Sequence, residues 1–203
     1  MPASFPISSG LALETKRVIL RPLQPSDQPA FLQLAQEDES MWEYFSLNLA
    51  DAAQLQRWMD IAGEEKQKNI RRPFTIIDKA SGHITGSSSL GNISVYDKRA
   101  EIGWSWLGRQ WRSTGINREA KFAMMCYAFE QLHFERIEFK TDVLNIRARK
   151  GLQHVGGKEE GVLRSHMQMW NNRRRSSVYY SVLKEEWPVL RTTIFAGQQL
   201  LQP

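Results

Sequence analysis

Arg112-Ser113-Thr114-Gly115-Ile116-Asn117 stands between an alternating, strand-like stretch, Glu101 to Leu107, and a strongly helical one, Arg118 to Leu132. A short glycine-containing turn that opens a helix leaves the first backbone N–H groups without intrahelical partners, and the aligned peptide dipoles put partial positive charge at the same end. Such a turn can hold a pyrophosphate without any lysine. The alternative is an ordinary loop before an ordinary helix, and the hexapeptide alone does not separate the two. Asn117 tolerates left-handed backbone better than most residues, so the turn does not require a second glycine.

The sequence on either side narrows the reading. Phe122, Met125, Cys126, Phe129 and Leu132 recur at helical spacing, and Ile137, Phe139 and Thr141 then alternate with Arg136, Glu138 and Lys140. This is loop, amphipathic helix, strand. Asn145 opens the next segment, and Lys158-Glu159-Glu160-Gly161-Val162-Leu163-Arg164 follows it. The series resembles the GCN5-related N-acetyltransferases, whose signatures are [Q/R]-x-x-G-x-[G/A], then N-x-x-S-x-x-x-L-x-x-x-G and a K-x-E-G-x-L-R-like run. Arg112 and Gly115 stand where the first signature wants them, and Asn117 replaces its last small residue. With Leu20-Arg21-Pro22-Leu23 early and Glu186-Trp187-Pro188 late, the likeness covers about Leu13 to Arg191. It is strongest to the branch that acetylates ribosomal-protein N-termini at alanine or serine.

The resemblance implies an α+β fold with a mixed, mostly antiparallel central sheet of about six to seven strands, flanked by helices and splayed into an acyl-CoA groove. It implies acetyl-CoA as co-substrate, with no metal. The backbone of Arg112, Ser113, Thr114, Gly115, Ile116 and Asn117 would cradle the pyrophosphate, and free backbone groups near Trp106 and Leu107 would pair with the pantetheine arm. Asn145 would bond that arm through its side-chain amide, although asparagine serves equally well as a helix cap. Where related sequences carry a serine or tyrosine to protonate the departing thiolate, this chain has Ala148 and Leu152.

In the strand before the loop, strict alternation puts Ile102, Trp104 and Trp106 on one face and Glu101, Gly103, Ser105 and Leu107 on the other. Gly103 weakens a strand unless it serves a bulge or a close backbone approach. Acyl transfer to an amine needs a base or a water chain, because an ammonium has no free lone pair. Two candidates are Glu101, beside the expected groove, and His166, which alternates with Arg164 and Gln168 and has a side chain that titrates near neutrality. Glu101, at the start of the strand, could equally be a solvated end or one half of a salt bridge.

Composition bounds the class without naming it. At 203 residues and 41% hydrophobic content the chain can bury one substantial core. We expect one domain over 1–203, with 1–12 and 192–203 as peripheral tails. No apolar run reaches the roughly 20 residues of a membrane helix, and the first ten residues do not read as a secretory signal, so a cytoplasmic location and no membrane partner are expected. Cys126, the only cysteine, lies on the apolar face of its helix and reads as a core residue. His83, His133, His154 and His166 lack metal-ligand spacing.

The net charge of +5 suits nucleic acid or the phosphates of CoA, and we expect the second. Arg173-Arg174-Arg175 follows the turn signal Asn171-Asn172 and reads as the decoration of a hairpin, solvated as most such runs are, with a ligand role as the alternative. The looser group Lys66, Lys68, Arg71 and Arg72 has the same reading. The acceptor is expected to be a primary amine, either a peptide N-terminus or a small molecule, and the sequence leaves a homodimer open. The competing function is a non-catalytic module that binds acyl-CoA or nucleic acid, for which Ala148 and Leu152 are the best argument.

Elsewhere the pattern predicts a strand at Val18 to Leu23 and a helix near Pro25-Ser26-Asp27 capped by Ser26 or Asp27. An irregular aromatic segment, Trp42 to Asn48, and a second helix opened by Asp51 follow. Strands at Pro73 to Asp78 and Ile84 to Gly91 flank the turn Lys79-Ala80-Ser81-Gly82.

Overall fold

The computed structural model describes residues 7–202. The strands are β1 (Leu13–Thr15), β2 (Val18–Pro22), β3 (Arg71–Asp78), β4 (Ile84–Ser94), β5 (Arg99–Leu107), β6 (Arg136–Asp142), β7 (Lys158–Gln168), β8 (Arg174–Leu183) and β9 (Leu200–Gln202). The helices are α1 (Gln28–Gln36), α2 (Ala52–Gln67), α3 (Ile116–Cys126), α4 (Ile146–Gln153) and α5 (Trp187–Thr192). All nine strands form one sheet in the order β7-β8-β6-β5-β4-β3-β2-β1-β9. Every pairing is antiparallel except β5 with β6, which run parallel because α3 crosses between them.

The α+β architecture agrees with the expectation, but nine strands replace six to seven. The extra width comes from three-residue strands at the edge, too short to show a period. The terminal segments are also less peripheral than expected, since Ile7, Leu11 and Phe195 are buried in the main core.

Two apolar layers sandwich the sheet. One packs α3 and α5 over it through Phe122, Phe129, Ile137, Phe139, Val178 and Trp187. The other packs α1, α2 and a 3₁₀ segment at Glu39–Tyr44 through Phe31, Trp42, Leu55, Trp58, Met59 and Trp106. Asp51 caps α2 as its sequence predicts, its Oδ1 accepting from Gln54 N at 2.9 Å. The helix read as far as Leu132 is α3 followed by a π turn, in which Leu132 N donates to Tyr127 O at 3.0 Å.

Asp27 differs from its expected role. Its carboxylate does not cap α1; it is buried, closes a capping box on the 3₁₀ turn Pro25–Asp27 by accepting from Gln24 N at 2.9 Å, and also accepts from Arg21 Nη1 at 2.9 Å and Thr75 Oγ1 at 2.6 Å. Burial alone would raise its pKa, but the bonds from Arg21, Thr75 and Gln24 together hold it below the ordinary carboxylate range. The early arginine of the Leu20-Arg21-Pro22-Leu23 stretch thus locks β2 and β3 to the start of α1. Asp27→Ala leaves Arg21 without its partner and should destabilise the fold by about 3 kcal/mol at neutral pH. Because the folded pKa is depressed, the stabilisation is present above the unfolded pKa of about 4 and is lost as pH falls through the folded value. Urea melts of the two proteins should converge in acid.

Candidate active site

β5 pairs with β6 only through Arg99↔Arg136, Ala100↔Ile137 and Glu101↔Glu138. Beyond Glu101 the two strands part, while β5 stays on β4 as far as Gly86↔Leu107. One edge of β5 from Ile102 onward therefore faces a gap instead of a ladder. The fork opens beside Glu101.

The separation coincides with a β-bulge. Ser89 pairs with Gly103 and Ser87 with Trp106, so Trp104 and Ser105 together oppose Ser88 alone, and Trp104 takes φ 53°. The extra residue flips the pattern, and the strict alternation expected for this strand fails. Ile102 and Leu107 belong to the α3 layer, whereas Trp106 packs among Phe31, Trp42 and Trp58 at 5.1, 5.4 and 6.4 Å between ring centroids. Trp104 turns to that same side, its ring 4.3 Å from Arg71 Cζ. Its ring lies against Gly91, where a Cβ would come within 2.3 Å of it.

Glu101 is 4% exposed, and its Oε2 accepts from Lys140 Nζ at 2.9 Å and from Asn92 Nδ2 at 2.7 Å. No donor holds Oε1 among the described residues. Gly103 makes room for it, since a Cβ there would lie 2.6 Å from Oε1. This is the close approach that a glycine inside the strand suggested. A solvated strand end is excluded by the burial, whereas the salt bridge that the sequence left open is present, as an internal pair.

His166 reaches the same face from β7. Ser165, at φ 51°, and the register shift between Leu163 and Met167 interrupt the alternation expected of Arg164, His166 and Gln168. Its Nδ1 lies 3.0 Å from Ser177 Oγ. Burial first, then the positive charges of Lys140 and Arg175, push its pKa below the usual value, so the neutral ring dominates at pH 7.

The hexapeptide loop is built as a bare helix N-terminus. Ser113 takes φ 61° and Gly115 takes φ 93°, and Gly115 is the N-cap of α3, so no side chain covers the free N–H groups of the first turn. Arg17 Nη1 and Trp111 secure the loop from behind, through the Thr114 carbonyl and a 2.7 Å bond from Thr114 Oγ1 to Trp111 O. The Arg112 side chain turns away: it pairs with Asp38 at 2.5 Å and its Nε donates to Leu107 O at 3.1 Å. Leu107 therefore has its carbonyl engaged, and only its fork-side neighbours remain open. Asn145 caps α4, its Oδ1 accepting from Ala148 N at 3.0 Å, which leaves its NH₂ group to point elsewhere.

The sequence did not single out Asn92 or Lys121, and it read Lys140 only as a strand residue and Arg71 only as one of a solvated basic group. Lys121 is buried in α3 with the loop's Asn117 Oδ1 as acceptor at 2.8 Å, and burial lowers its pKa to about 8. Its position within an apolar helical run was the available signal. The basic run also departs from expectation. Arg173 pairs with the buried Asp142 at 2.5 Å, Arg175 is 8% exposed, and both contact carbonyls of the Glu39–Tyr44 segment. Arg71 and Arg72 are likewise buried, unlike the solvated group expected.

Residues 17–158 match the family model described as "Acetyltransferase (GNAT) domain". The putative ribosomal N-acetyltransferase YdaF of Bacillus subtilis (strain 168) is 27% identical over 181 residues, 85% of this chain and 94% of that protein. An uncharacterized N-acetyltransferase, p20, of Bacillus licheniformis is 28% identical over 177 residues, 86% of this chain and 97% of that one. A crystal structure of a GCN5-related N-acetyltransferase from Brucella melitensis superposes with TM-score 0.83 at 27% identity, over 92% of this chain and 85% of that one. Mycobacterium smegmatis RimJ in complex with CoA-disulfide shares the fold, with TM-score 0.77 at 22% identity, over 93% of this chain and 95% of that one.

Lys121 also carries a stability prediction. A lysine whose folded pKa is depressed penalises the fold fully below that value, and the penalty disappears as pH rises through the folded pKa to the unfolded one. Lys121→Met should therefore stabilise the ligand-free protein by roughly 2 kcal/mol at pH 7. The gain should shrink between about pH 8 and pH 10.5, which thermal melts of both proteins across that range would register.

Proposed function

The chain belongs to the acetyltransferase (GNAT) family, and on that premise we propose that it moves an acetyl group from acetyl-CoA to a primary amine by direct attack on the thioester. Family membership makes it an acetyl-CoA-dependent acyltransferase; the acceptor and the residue roles are our reading. The observation that carries them is the end of β5–β6 pairing at Glu101, which places a buried carboxylate with an open oxygen where the sheet forks. The acceptor would be a peptide N-terminus or an aminoacyl-type small molecule, and the likeness to a putative ribosomal N-acetyltransferase of Bacillus subtilis supports the peptide.

The residues divide the work as follows. Backbone N–H groups of Ile116 and Asn117, at the bare start of α3, would take the pyrophosphate, with Arg112, Ser113, Thr114 and Gly115 shaping the turn. Open backbone beside Trp106 and Leu107, and the free amide of Asn145, would align the pantetheine arm. Glu101 Oε1 would accept the proton of the incoming ammonium, held in place by Lys140 and Asn92 through Oε2. The amine lone pair then forms the C–N bond as the C–S bond breaks, and the second amine proton ends on the departing thiolate. Donor N–H groups at the Trp104 bulge would polarise the carbonyl. Ala148 and Leu152 offer no hydroxyl to the thiolate, so water would deliver that proton. A second reading makes His166 the base, because its neutral ring is favoured at pH 7.

Gly115→Val cannot easily keep φ 93°, and its side chain would press on Arg17 Nη1, which lies 3.0 Å from a Cβ at this position. Calorimetry should show acetyl-CoA binding weakened about tenfold, roughly 1.4 kcal/mol. Unchanged affinity in a folded variant would remove the loop from the site. Glu101→Gln should lower turnover about a hundredfold with acetyl-CoA affinity nearly constant, and His166→Ala should do so only if the second reading holds. Rates for both variants, taken across pH with an amine of known pKa, separate the two. Wild-type rates in both would leave water as the proton acceptor, and acetyl-CoA binding without thiol release on addition of any amine would favour a non-catalytic module.

A further inference from the structure

Buried N–H donors nearly always have an acceptor, so several without one on a single face mark a place where acceptor atoms arrive from outside the chain. On the face that carries Glu101, Trp58 Nε1, Arg71 Nη2, Trp106 Nε1, Arg173 Nε and Arg175 Nε are buried with no hydrogen-bond partner. All are donors. A ligand that brings oxygen acceptors would relieve them, and a ligand that brings further N–H groups would not.

Charge decides which oxygens. Arg71 has Glu65 at 3.0 Å, Lys140 has Glu101 at 2.9 Å and Arg173 has Asp142 at 2.5 Å. The fourth cation, Arg175, has only the Tyr44 carbonyl at 3.4 Å, and no carboxylate lies within ion-pair distance of it among the described residues. Asp142 and Glu101 are near enough to favour its charge, yet each already holds another cation. A buried guanidinium without a counterion is strongly unfavourable, and its planar fork matches a carboxylate. Arg175 also acts electrostatically on His166, so it flanks both candidate proton acceptors.

We propose that Arg175 is the counterion for a carboxylate on the acceptor substrate, which is therefore an amine bearing a carboxylate a few bonds from the reacting nitrogen. Free amino acids supply that group at the α-carbon, and peptides supply it through an acidic side chain just after the N-terminus. This rests on the N-acetyltransferase reading. A cationic acceptor such as a lysine-rich peptide would add charge to a face where four cations meet three carboxylates.

Matched acceptors test it: alanine against alaninamide, and the C-terminally amidated peptides Ala-Asp-Gly-Phe against Ala-Asn-Gly-Phe. The wild-type protein should favour the carboxylate member of at least one pair by tenfold or more in kcat/KM, and the pair that responds identifies the source. Arg175→Gln should abolish the preference by raising KM for the carboxylate member alone, and Arg175→Lys, which keeps the charge, should retain part of it. Equal use of both members by the wild type, or equal loss for both in Arg175→Gln, overturns the proposal. If acetyl-CoA binds but no amine is acetylated, the N-acetyltransferase reading fails separately. Calorimetry of the same pairs against CoA-saturated protein then decides Arg175: carboxylate-selective binding lost in Arg175→Gln supports it, and equal or absent binding overturns it.

Discussion

A strand can satisfy two neighbours only while both lie at ladder spacing, about 4.8 Å away. β5 does so as far as Glu101 and then must choose. It stays with β4, and the bulge at Trp104 accommodates the change of direction. Positive φ in a bulky residue costs about 1–2 kcal/mol, so the packing around Trp104 has to hold it. Arg71 over one side of the indole and the bare backbone of Gly91 beneath the ring provide that support. Three features meet along this short stretch: an unpaired strand edge beyond Glu101, a glycine that makes room for the carboxylate at the fork, and, past the inserted residue, a tryptophan redirected into the aromatic layer under α1 and α2.

The Glu39–Tyr44 segment is fastened by polar contacts as well as by the apolar packing of Met41 and Trp42. Arg112 holds Asp38, whose carboxyl is brought down to about 2 by the Ser40 hydroxyl and the Arg112 guanidinium. From the opposite side Trp170 Nε1 donates to Trp42 O at 2.8 Å, and Arg173 donates to Glu43 O at 3.2 Å. The Glu39–Tyr44 segment is thereby tied both to the loop that follows β5 and to the β7–β8 hairpin. Side chains that read as a solvated basic tract instead join two distant parts of the chain across the reacting face.

Burial sorts the titratable groups by use. Cys126 is pushed up to about 12 by burial, which suits a packing residue and not a nucleophile. Glu101 and His166 differ in their surroundings: the carboxylate is bonded to an ammonium and an amide, whereas the imidazole has the Ser177 hydroxyl as partner and is pushed below its usual pKa by burial and by the positive charges of Lys140 and Arg175.

Periodicity alone determined most of the elements. The alternation of Ile137, Phe139 and Thr141, the apolar stripe from Phe122 to Phe129, the Asp51 cap and the glycine turn before α3 are local facts, each fixed by residues within one or two turns of one another. The turn that opens α3 and the Asn145 cap of α4 were legible for that reason. Tertiary structure decided the rest. One extra residue at the bulge reverses the facing of everything after it, and no periodic reading sees an insertion that the partner strand defines. The three-residue strands exist only because a neighbour's edge is present to pair with. Glu101 meets Lys140 across 39 positions, and Arg173 meets Asp142 across 31. Charges so far apart in sequence are brought together, and buried, only by the sheet that spaces them, so the chemistry of the fork was written in residue types that the sequence could list but not place.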